Sequence, residues 1–231
     1  MQSSTRANVD PSELHLGQHD LDERYQVLGR FYAYPGEALG KSYLCRDILE
    51  IHRTAVGDQP CNAVFVMMNP GDSKPLLGTE SAPKHEARLV ATRPDRTQFQ
   101  LMRLMGMLGW QRVRVLNLSD LRNPRSSSFY EQLKGFKAHE GHNGHSIFST
   151  TRKAELAGAL ARKPGAPIVA AWGVGRPLKD LATNAVDALN GKAVGLNHPR
   201  GAWAYRHPLP QRNGPQIQWR LDALELLRPF S

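Results

Sequence analysis

The sequence is poor in cysteine and in long apolar runs, and each shortage excludes a class of protein. Only two cysteines, Cys45 and Cys61, occur in 231 residues, which is too few for a disulfide framework or a cysteine-only metal site. No stretch approaches the roughly 18 apolar residues of a membrane span, and the polar N-terminus lacks the apolar core of a secretory signal. We therefore expect a cytoplasmic protein with buried thiols, without a metal or cofactor and without a membrane partner.

The sequence does have an ordinary globular composition and an excess of positive charge. Apolar residues make up 40% of the chain and charged residues 22%, a balance that supports one sizeable hydrophobic core. The formal net charge of +9 favours a polyanionic partner, because each neutralised phosphate releases condensed counterions. We expect a monomer in which residues 1–22 form a polar N-terminal arm and residues 23–231 form a single domain.

Short apolar runs alternate with helical patterns along the chain. Four runs that end in polar or glycine-rich turns are typical of buried parallel strands, and they cover residues 63–68, 113–116, 167–172 and 193–196. Apolar residues at helical spacing occur at residues 98–108, 152–160, 178–189 and 219–227. The alternation predicts a single-domain α/β fold with a central, mostly parallel four-stranded sheet flanked by helices. Residues 23–53 are expected to pack against this sheet through a turn at Pro35-Gly36 and then a helix.

The turns that follow the four strands carry the candidate chemistry, because ligands of such folds bind beyond the carboxyl ends of the strands. These turns are Asn69-Pro70-Gly71-Asp72, Asn117-Leu118-Ser119-Asp120, Gly173-Val174-Gly175-Arg176 and Asn197-His198-Pro199-Arg200. Taken singly, each has a structural explanation as a tight turn or a helix cap. The two glycines of the third turn lack a complete dinucleotide-binding or Walker pattern.

In their order and placement, these motifs resemble those of the uracil-DNA glycosylase superfamily over residues 64–227. Met68-Asn69-Pro70-Gly71 resembles the family's first motif, and residues 115–125 resemble the Asn-Val-Val-Lys-Cys-Arg-Pro-Pro region of its bacterial and archaeal members. Residues 169–173 resemble the third strand and its glycine. Asn197-His198-Pro199, with Arg206-His207-Pro208 further on, resembles the His-Pro motif and its DNA-gripping loop.

The chain also departs from the family's pattern. Met67 stands at the glycine position of the first motif, and the two cysteines do not match the four that bind an iron–sulfur cluster in some members. The aromatic residue that stacks on the flipped base has no clear counterpart, although Tyr130, Trp172 and Met68 are substitutes. These departures bear on the identity of the base more than on the type of reaction.

The resemblance implies an enzyme that flips a base out of DNA and hydrolyses its N-glycosidic bond, leaving an abasic site. By position, Asn69 would orient the attacking water, and Asp72 is the nearest ionisable group if a base is needed. Asn117 would read the base edge, and His198, or alternatively His207, would donate to a base carbonyl. The resemblance further assigns Met68, Gly71 and Trp172 to the base pocket, and it assigns to DNA binding Arg122, Arg125, Arg200, Trp203, Tyr205, Arg206 and His207.

Several functions stay open at this point. The altered pocket wall and the longer segments at residues 72–96 and 126–149 favour a modified or damaged pyrimidine over plain uracil, in repair or in defence against phage with modified DNA. One alternative is a catalytically silent nucleic-acid-binding module of the same fold. Another is an N-glycosidase that acts on free nucleosides, against which the net charge and the loop with arginine and aromatic residues argue.

Overall fold

The computed structural model describes residues 11–36, 40–54, 57 and 59–231. Within these residues the chain forms an α/β fold around one seven-stranded sheet. The strands are β1 (Tyr25–Pro35), β2 (Ser42–Arg53), β3 (Ala63–Met67), β4 (Leu89–Ala91), β5 (Arg112–Asn117), β6 (Ile168–Ala170) and β7 (Ala193–Val194). Their order in the sheet is β4-β1-β2-β5-β3-β6-β7.

The four predicted strands are present as β3, β5, β6 and β7, and they pair in parallel. The predicted four-stranded sheet is nevertheless too small. An antiparallel hairpin of β1 and β2 extends it through the β2–β5 pair, and β4 adds to the outer edge of β1. The sheet is therefore mixed, and its parallel half is the half that the sequence pattern predicted.

The prediction of a helix after Pro35-Gly36 is wrong, because Ser42–Arg53 forms strand β2. This strand lies between β1 and β5, so both of its edges are paired, and it contributes side chains to the hydrophobic clusters on both faces of the sheet. Its buried residues therefore run consecutively instead of alternating. Leu49 and Ile51 face one core, whereas Cys45 and Ile48 face the other. A run that is apolar on both faces does not show the period of two that identifies a half-buried strand.

The described residues contain six α-helices and four short 3-10 helices. The α-helices are α1 (Gln18–Arg24), α2 (Arg96–Leu108), α3 (Ser126–Glu140), α4 (Lys153–Ala159), α5 (Lys179–Ala188) and α6 (Asn213–Leu227). The four predicted helices are confirmed as α2, α4, α5 and α6, although α6 begins at Asn213 and not at Trp219. The 3-10 helices cover Pro11–His15, Thr150–Arg152, Arg176–Leu178 and Arg228–Phe230.

Helix α2 has strong signals at both ends. The Asp95 carboxylate accepts hydrogen bonds from the backbone N–H groups of Thr97 and Gln98, and the Gln98 side chain accepts from the Asp95 N–H. This reciprocal pair is a capping box. At the other end, Gly109 adopts a left-handed conformation with φ of 67°, which glycine permits without steric cost. The start of α2 is thereby fixed beside the carboxyl end of the sheet.

Helices cover both faces of the sheet and enclose two hydrophobic clusters. One cluster joins α1, α2 and α6 to the face that carries Phe65, Val113 and Val115, and the other joins α3, α4 and α5 to the opposite face. Leu21 of α1 is fully buried in the first cluster. Residues 1–10 of the expected arm lie outside the described residues, whereas residues 11–22 contain a 3-10 helix and most of α1.

Candidate functional site

A cleft of about 550 Å³ opens at the carboxyl ends of β3, β5 and β6. These three strands are neighbours and run in parallel, so the turns that follow them meet at one edge of the sheet. From the predicted residues, the cleft brings together Met68, Asn69, Gly71, Asp72, Asn117, Trp172 and His207. The expectation that the four strand-end turns share one pocket therefore holds for the turns after β3, β5 and β6, whereas no residue of the fourth turn, residues 197–200, lines this cleft.

The turn after β3 presents Asn69 in a fixed orientation. Gly71 has a φ of 66°, a left-handed conformation that closes the turn tightly. The Asn69 Nδ2 donates to the carbonyl oxygens of Asn123 at 2.8 Å and Leu121 at 3.5 Å. Because both donors of the amide face this neighbouring loop, Oδ1 is left as the acceptor that a water or substrate can use.

The loop that holds Asn69 is itself anchored by a buried ionic contact. Asp120 is fully buried, and its Oδ2 accepts hydrogen bonds from the Tyr32 hydroxyl at 2.7 Å and from Arg152 Nη1 at 2.6 Å. A charge-assisted pair of this kind fixes backbone position more strongly than a neutral hydrogen bond. The carbonyl groups of Leu121 and Asn123, which follow directly in the chain, are therefore a rigid support for Asn69.

Asn117 is a polar residue at a position that the strand pattern makes apolar. Val113 and Val115 precede it on the same face of β5 and belong to the core beneath α2. Asn117 is 1% exposed, and neither Nδ2 nor Oδ1 has a hydrogen-bond partner among the described residues. An unpaired buried amide costs about 1–3 kcal/mol. Asn117 also lines the cleft, so a ligand that offers one donor and one acceptor would supply the missing partners.

Arg46 lines the same cleft and was not identified from the sequence. It lies on β2, is 3% exposed, and its Nε and Nη1 have no partner within the described part of the chain. Burial lowers the pKa of Arg46 to about 10, so the guanidinium stays charged at neutral pH. The sequence signal was a charged residue among apolar ones, and the expectation of a helix after Pro35-Gly36 concealed it.

Asp95 and Tyr130 are two further lining residues that the sequence reading did not place in the catalytic group. The Asp95–Gln98 capping box is readable from sequence as an acidic residue followed three positions later by glutamine.

Tyr130 of α3 extends its hydroxyl to the Met68 sulfur at 3.8 Å. Tyr130 therefore places an aromatic side chain in the cleft next to the turn that follows β3.

The structure distinguishes between the two candidate histidines. His207 lines the cleft, whereas His198 does not and instead accepts a hydrogen bond from its own loop at Arg200 N. His207 Nδ1 accepts from the Leu209 N–H at 3.1 Å, so in the neutral ring the proton is on Nε2. Desolvation lowers the pKa of His207 to about 4. The cleft therefore holds a neutral imidazole whose Nε2–H is available to donate to a ligand.

Trp172, Trp203 and Tyr205 form a packed group beside the cleft. Trp172 is fully buried, and its indole N–H donates to the Trp203 carbonyl at 2.7 Å. Its ring meets Tyr205 edge-on, with 5.0 Å between centroids. Tyr205 also bridges the backbone of Gly173 and Asn197. These contacts make Trp172 a rigid wall of the cleft, and they hold Trp203 and Tyr205 partly buried against the sheet.

The arginines expected to bind DNA differ in how free their side chains are. Arg122 is 5% exposed, pairs with Glu80 at 2.7 Å and covers the Phe31 ring. Arg125 is exposed at the start of α3. Arg200 is exposed and donates to the Val174 carbonyl, and Arg206 is about half exposed beside Asp222. Three of the four arginines thus retain an accessible side chain, whereas Arg122 is committed to the protein interior.

Comparison of the chain with protein-family models, curated proteins and solved structures found no match. The site is therefore interpreted from its own chemistry. The cleft joins a fixed amide acceptor on Asn69, an unpaired amide on Asn117, a neutral imidazole donor and a buried cation. Among the described residues no group of three or more His, Cys, Asp or Glu side chains could hold a metal ion, and no helix is long and apolar enough to cross a membrane.

Proposed function

We propose that this protein is a DNA glycosylase that accepts an everted base in the cleft and hydrolyses its N-glycosidic bond. The observation that carries the proposal is the unpaired Asn117 amide in a cleft that also contains Asn69, His207 and Arg46. A nucleobase edge offers a donor and an acceptor side by side, which is the complement of an amide. The resemblance of the strand-end motifs to the uracil-DNA glycosylase superfamily supports the same reaction.

Breaking the C1′–N bond moves an electron pair onto the departing base and leaves positive charge on the sugar. Groups aimed at the developing negative charge are the largest expected source of catalysis. His207 would donate its Nε2 proton in a hydrogen bond to a base carbonyl, and the buried Arg46 guanidinium would stabilise the base anion through its charge. The Arg46 side chain is 3% exposed, so water would screen its interaction with the base anion only weakly.

The attacking water would be positioned by Asn69. Its Oδ1 accepts a hydrogen bond from the water, while the bonds from Nδ2 to Asn123 and Leu121 prevent the amide from turning. The water oxygen then bonds to C1′ and its proton is released. Asp72, whose side chain is 66% exposed, is the carboxylate that would take this proton, since the Asp95 carboxylate is engaged in capping α2.

The cleft chemistry favours a base with carbonyl groups, because Arg46 and His207 offer only donors. Together with the altered first motif and the longer segments at residues 72–96 and 126–149, this preference leads us to propose a modified or damaged pyrimidine as the substrate, in base-excision repair or in defence against phage DNA. The DNA would approach from the side of Arg125, Arg200 and Arg206, whose side chains remain accessible.

Base release from defined oligonucleotides tests the proposal. Purified protein is incubated with labelled single-stranded and duplex DNA that carries uracil, mismatched thymine or hypermodified pyrimidines, and abasic sites are revealed by alkali cleavage. We expect cleavage at one class of modified pyrimidine and its loss in Asn69→Ala. Asn62→Ala is the matched control, because Asn62 directly precedes β3 at the end of the strand opposite the cleft, where its amide oxygen accepts from the Gln111 and Arg112 N–H groups. Absence of base release from every substrate would contradict the proposal.

An N-glycosidase of free nucleosides remains a second candidate, and one observation favours it. Arg122, Trp203 and Tyr205 were expected to contact DNA, but they are engaged in internal contacts. Chromatography of a nucleoside mixture after incubation with the protein distinguishes the two functions. Release of base from nucleosides at a rate equal to that from DNA would favour the second.

A further inference from the structure

A second pocket, of about 280 Å³, lies between α2 and α6 next to the cleft. We call it the arginine pocket, because Arg96, Arg103 and Arg220 line it together with His15, Gln100 and Gln216. No Asp or Glu side chain is among its described lining residues. Three guanidinium groups around one small cavity, without a carboxylate to balance them, leave a concentrated positive charge.

Arg220 is the buried member of this group. It is 4% exposed, its Nη1 donates to the Gln100 Oε1, and its Nε has no partner in the part of the chain that the structure describes. Burial, together with the positive charge of Arg103, lowers the pKa of Arg220 to about 10. The side chain is thus cationic at neutral pH and lacks a counter-charge. A buried charge of this kind is stabilised when an anion binds beside it.

A chain of amides orients Arg220 and leads to the cleft. Gln100 Nε2 donates to Gln216 Oε1 at 3.2 Å, and Gln216 Nε2 donates to the Pro210 carbonyl at 2.8 Å. Pro210 belongs to the loop that carries His207. Arg103 is also held in place, since its Nε and Nη2 donate to the Leu16 carbonyl at 2.9 and 2.7 Å. Two of the three positive charges, those of Arg103 and Arg220, are therefore held in place before a ligand arrives, whereas Arg96 is exposed at the side of the cleft.

Arg96 connects this pocket to the cleft, because it lines both. We infer that the arginine pocket binds a backbone phosphodiester of the nucleic-acid strand whose base enters the cleft. This inference rests on the proposed function for the identity of the strand. Guanidinium groups bind phosphate oxygens in a bidentate manner, and a strand with one base in the cleft carries its phosphates past Arg96 toward Arg220.

The test measures binding of an unmodified single-stranded oligonucleotide as a function of salt, so no base release is required. We expect Arg220→Gln to weaken binding about tenfold and to reduce the slope of log affinity against log salt by about 0.7. The matched control is Arg228→Gln, which removes one positive charge from an exposed residue just beyond α6. Equal losses in the two variants, or no loss in either, would overturn the inference.

Two further measurements test the arginine pocket without depending on oligonucleotide binding by Arg220→Gln alone. Arg96→Gln changes an exposed side chain, so it should weaken oligonucleotide binding even if Arg220→Gln does not fold; unchanged binding in Arg96→Gln counts against the inference. Inorganic phosphate is titrated separately by thermal shift. If Arg220→Gln abolishes the phosphate effect but leaves oligonucleotide binding intact, the pocket takes a free phosphate and the phosphodiester assignment is wrong.

The same variants separate this inference from the proposed function. Base release with normal oligonucleotide binding by Arg220→Gln would leave the glycosylase proposal standing and overturn the phosphodiester site. Specific loss of binding in Arg220→Gln, without base release by the wild-type protein, would support the phosphodiester site and contradict the glycosylase proposal.

Discussion

Replacing Asn117 with valine should make the protein more stable and less active. Both polar atoms of the Asn117 amide are buried without a partner among the described residues, and an unsatisfied buried group costs about 1–3 kcal/mol. Valine suits a strand position, is close to asparagine in size, and extends the row of Val113 and Val115. We expect a gain of about 1–2 kcal/mol in the free energy of unfolding.

Thermal unfolding is the first measurement of this prediction. For a domain of this length, 1 kcal/mol shifts Tm by about 2–4 °C, so the expected rise is about 2–8 °C. Base release should fall about a hundredfold or more, as expected when a hydrogen-bonding group of an active site is removed. A gain in stability that accompanies a loss of activity marks a residue retained for function.

Asn62→Val is the matched control for Asn117→Val. The Asn62 Oδ1 accepts hydrogen bonds from the backbone N–H groups of Gln111 and Arg112 at 3.0 and 3.2 Å, so its removal should lower Tm and leave base release intact. The reasoning is refuted if Asn117→Val lowers Tm as Asn62→Val does. That result would mean that the Asn117 amide is already satisfied in the free protein.

Three other residues of the cleft give predictions of distinct kinds. Asn69→Ala should reduce the rate of base release about a hundredfold by releasing the positioned water, and a rate within twofold of wild type would contradict this. Chemical denaturation should show a loss of about 1–2 kcal/mol, because the neutral hydrogen bonds to the Asn123 and Leu121 carbonyls are removed. Arg46→Met should reduce kcat about a hundredfold. Tm should stay constant or rise, because an unpaired buried charge is removed, and a fall in Tm would show that the Arg46 guanidinium already has partners in the folded protein. The pKa of His207 is about 4 in the folded protein and 6.5 as an ordinary value. Between these two pH values the unfolded chain protonates this imidazole and the folded protein does not. The free energy of unfolding should therefore decline as the pH falls from 6.5 toward 4. His207→Gln should flatten this decline, although His145, with a pKa also lowered to about 4, will retain its own share; an unchanged unfolding profile against pH would count against the assignment.

The parallel half of the fold could be predicted from sequence, whereas the antiparallel half could not. Strands β3, β5, β6 and β7 are short apolar runs that end in turn-forming residues, and local pattern is sufficient to find them. Strand β2 is buried on both faces and contains charged residues whose partners are distant in sequence, such as Asp47 with Arg30. Helix α3 buries only Phe129 and Phe136, which is too sparse a pattern to indicate a helix.

The residues of the site likewise divide into those that the sequence predicted and those that it did not. Asn69 and Asn117 follow predicted strands, so their meeting at one edge was a consequence of topology. The choice between His198 and His207 depends on the course of the loop around Tyr205, because each histidine precedes a proline and the local sequences are alike. Arg46 reaches the cleft from β2, a strand that the sequence reading did not recognise.

The lengths of the outermost strands have a consequence for how the protein behaves at high concentration. The sheet ends in β4, with three residues, on one side and in β7, with two residues, on the other. Strands β4 and β7 themselves therefore present few unpaired backbone groups to a neighbouring molecule, and short edges of this kind protect mixed sheets from edge-to-edge aggregation. Beyond the three residues that pair with β4, the outer edge of β1 is also bonded at Val27 and Ala33, by the Thr92 N–H and the Ala82 carbonyl.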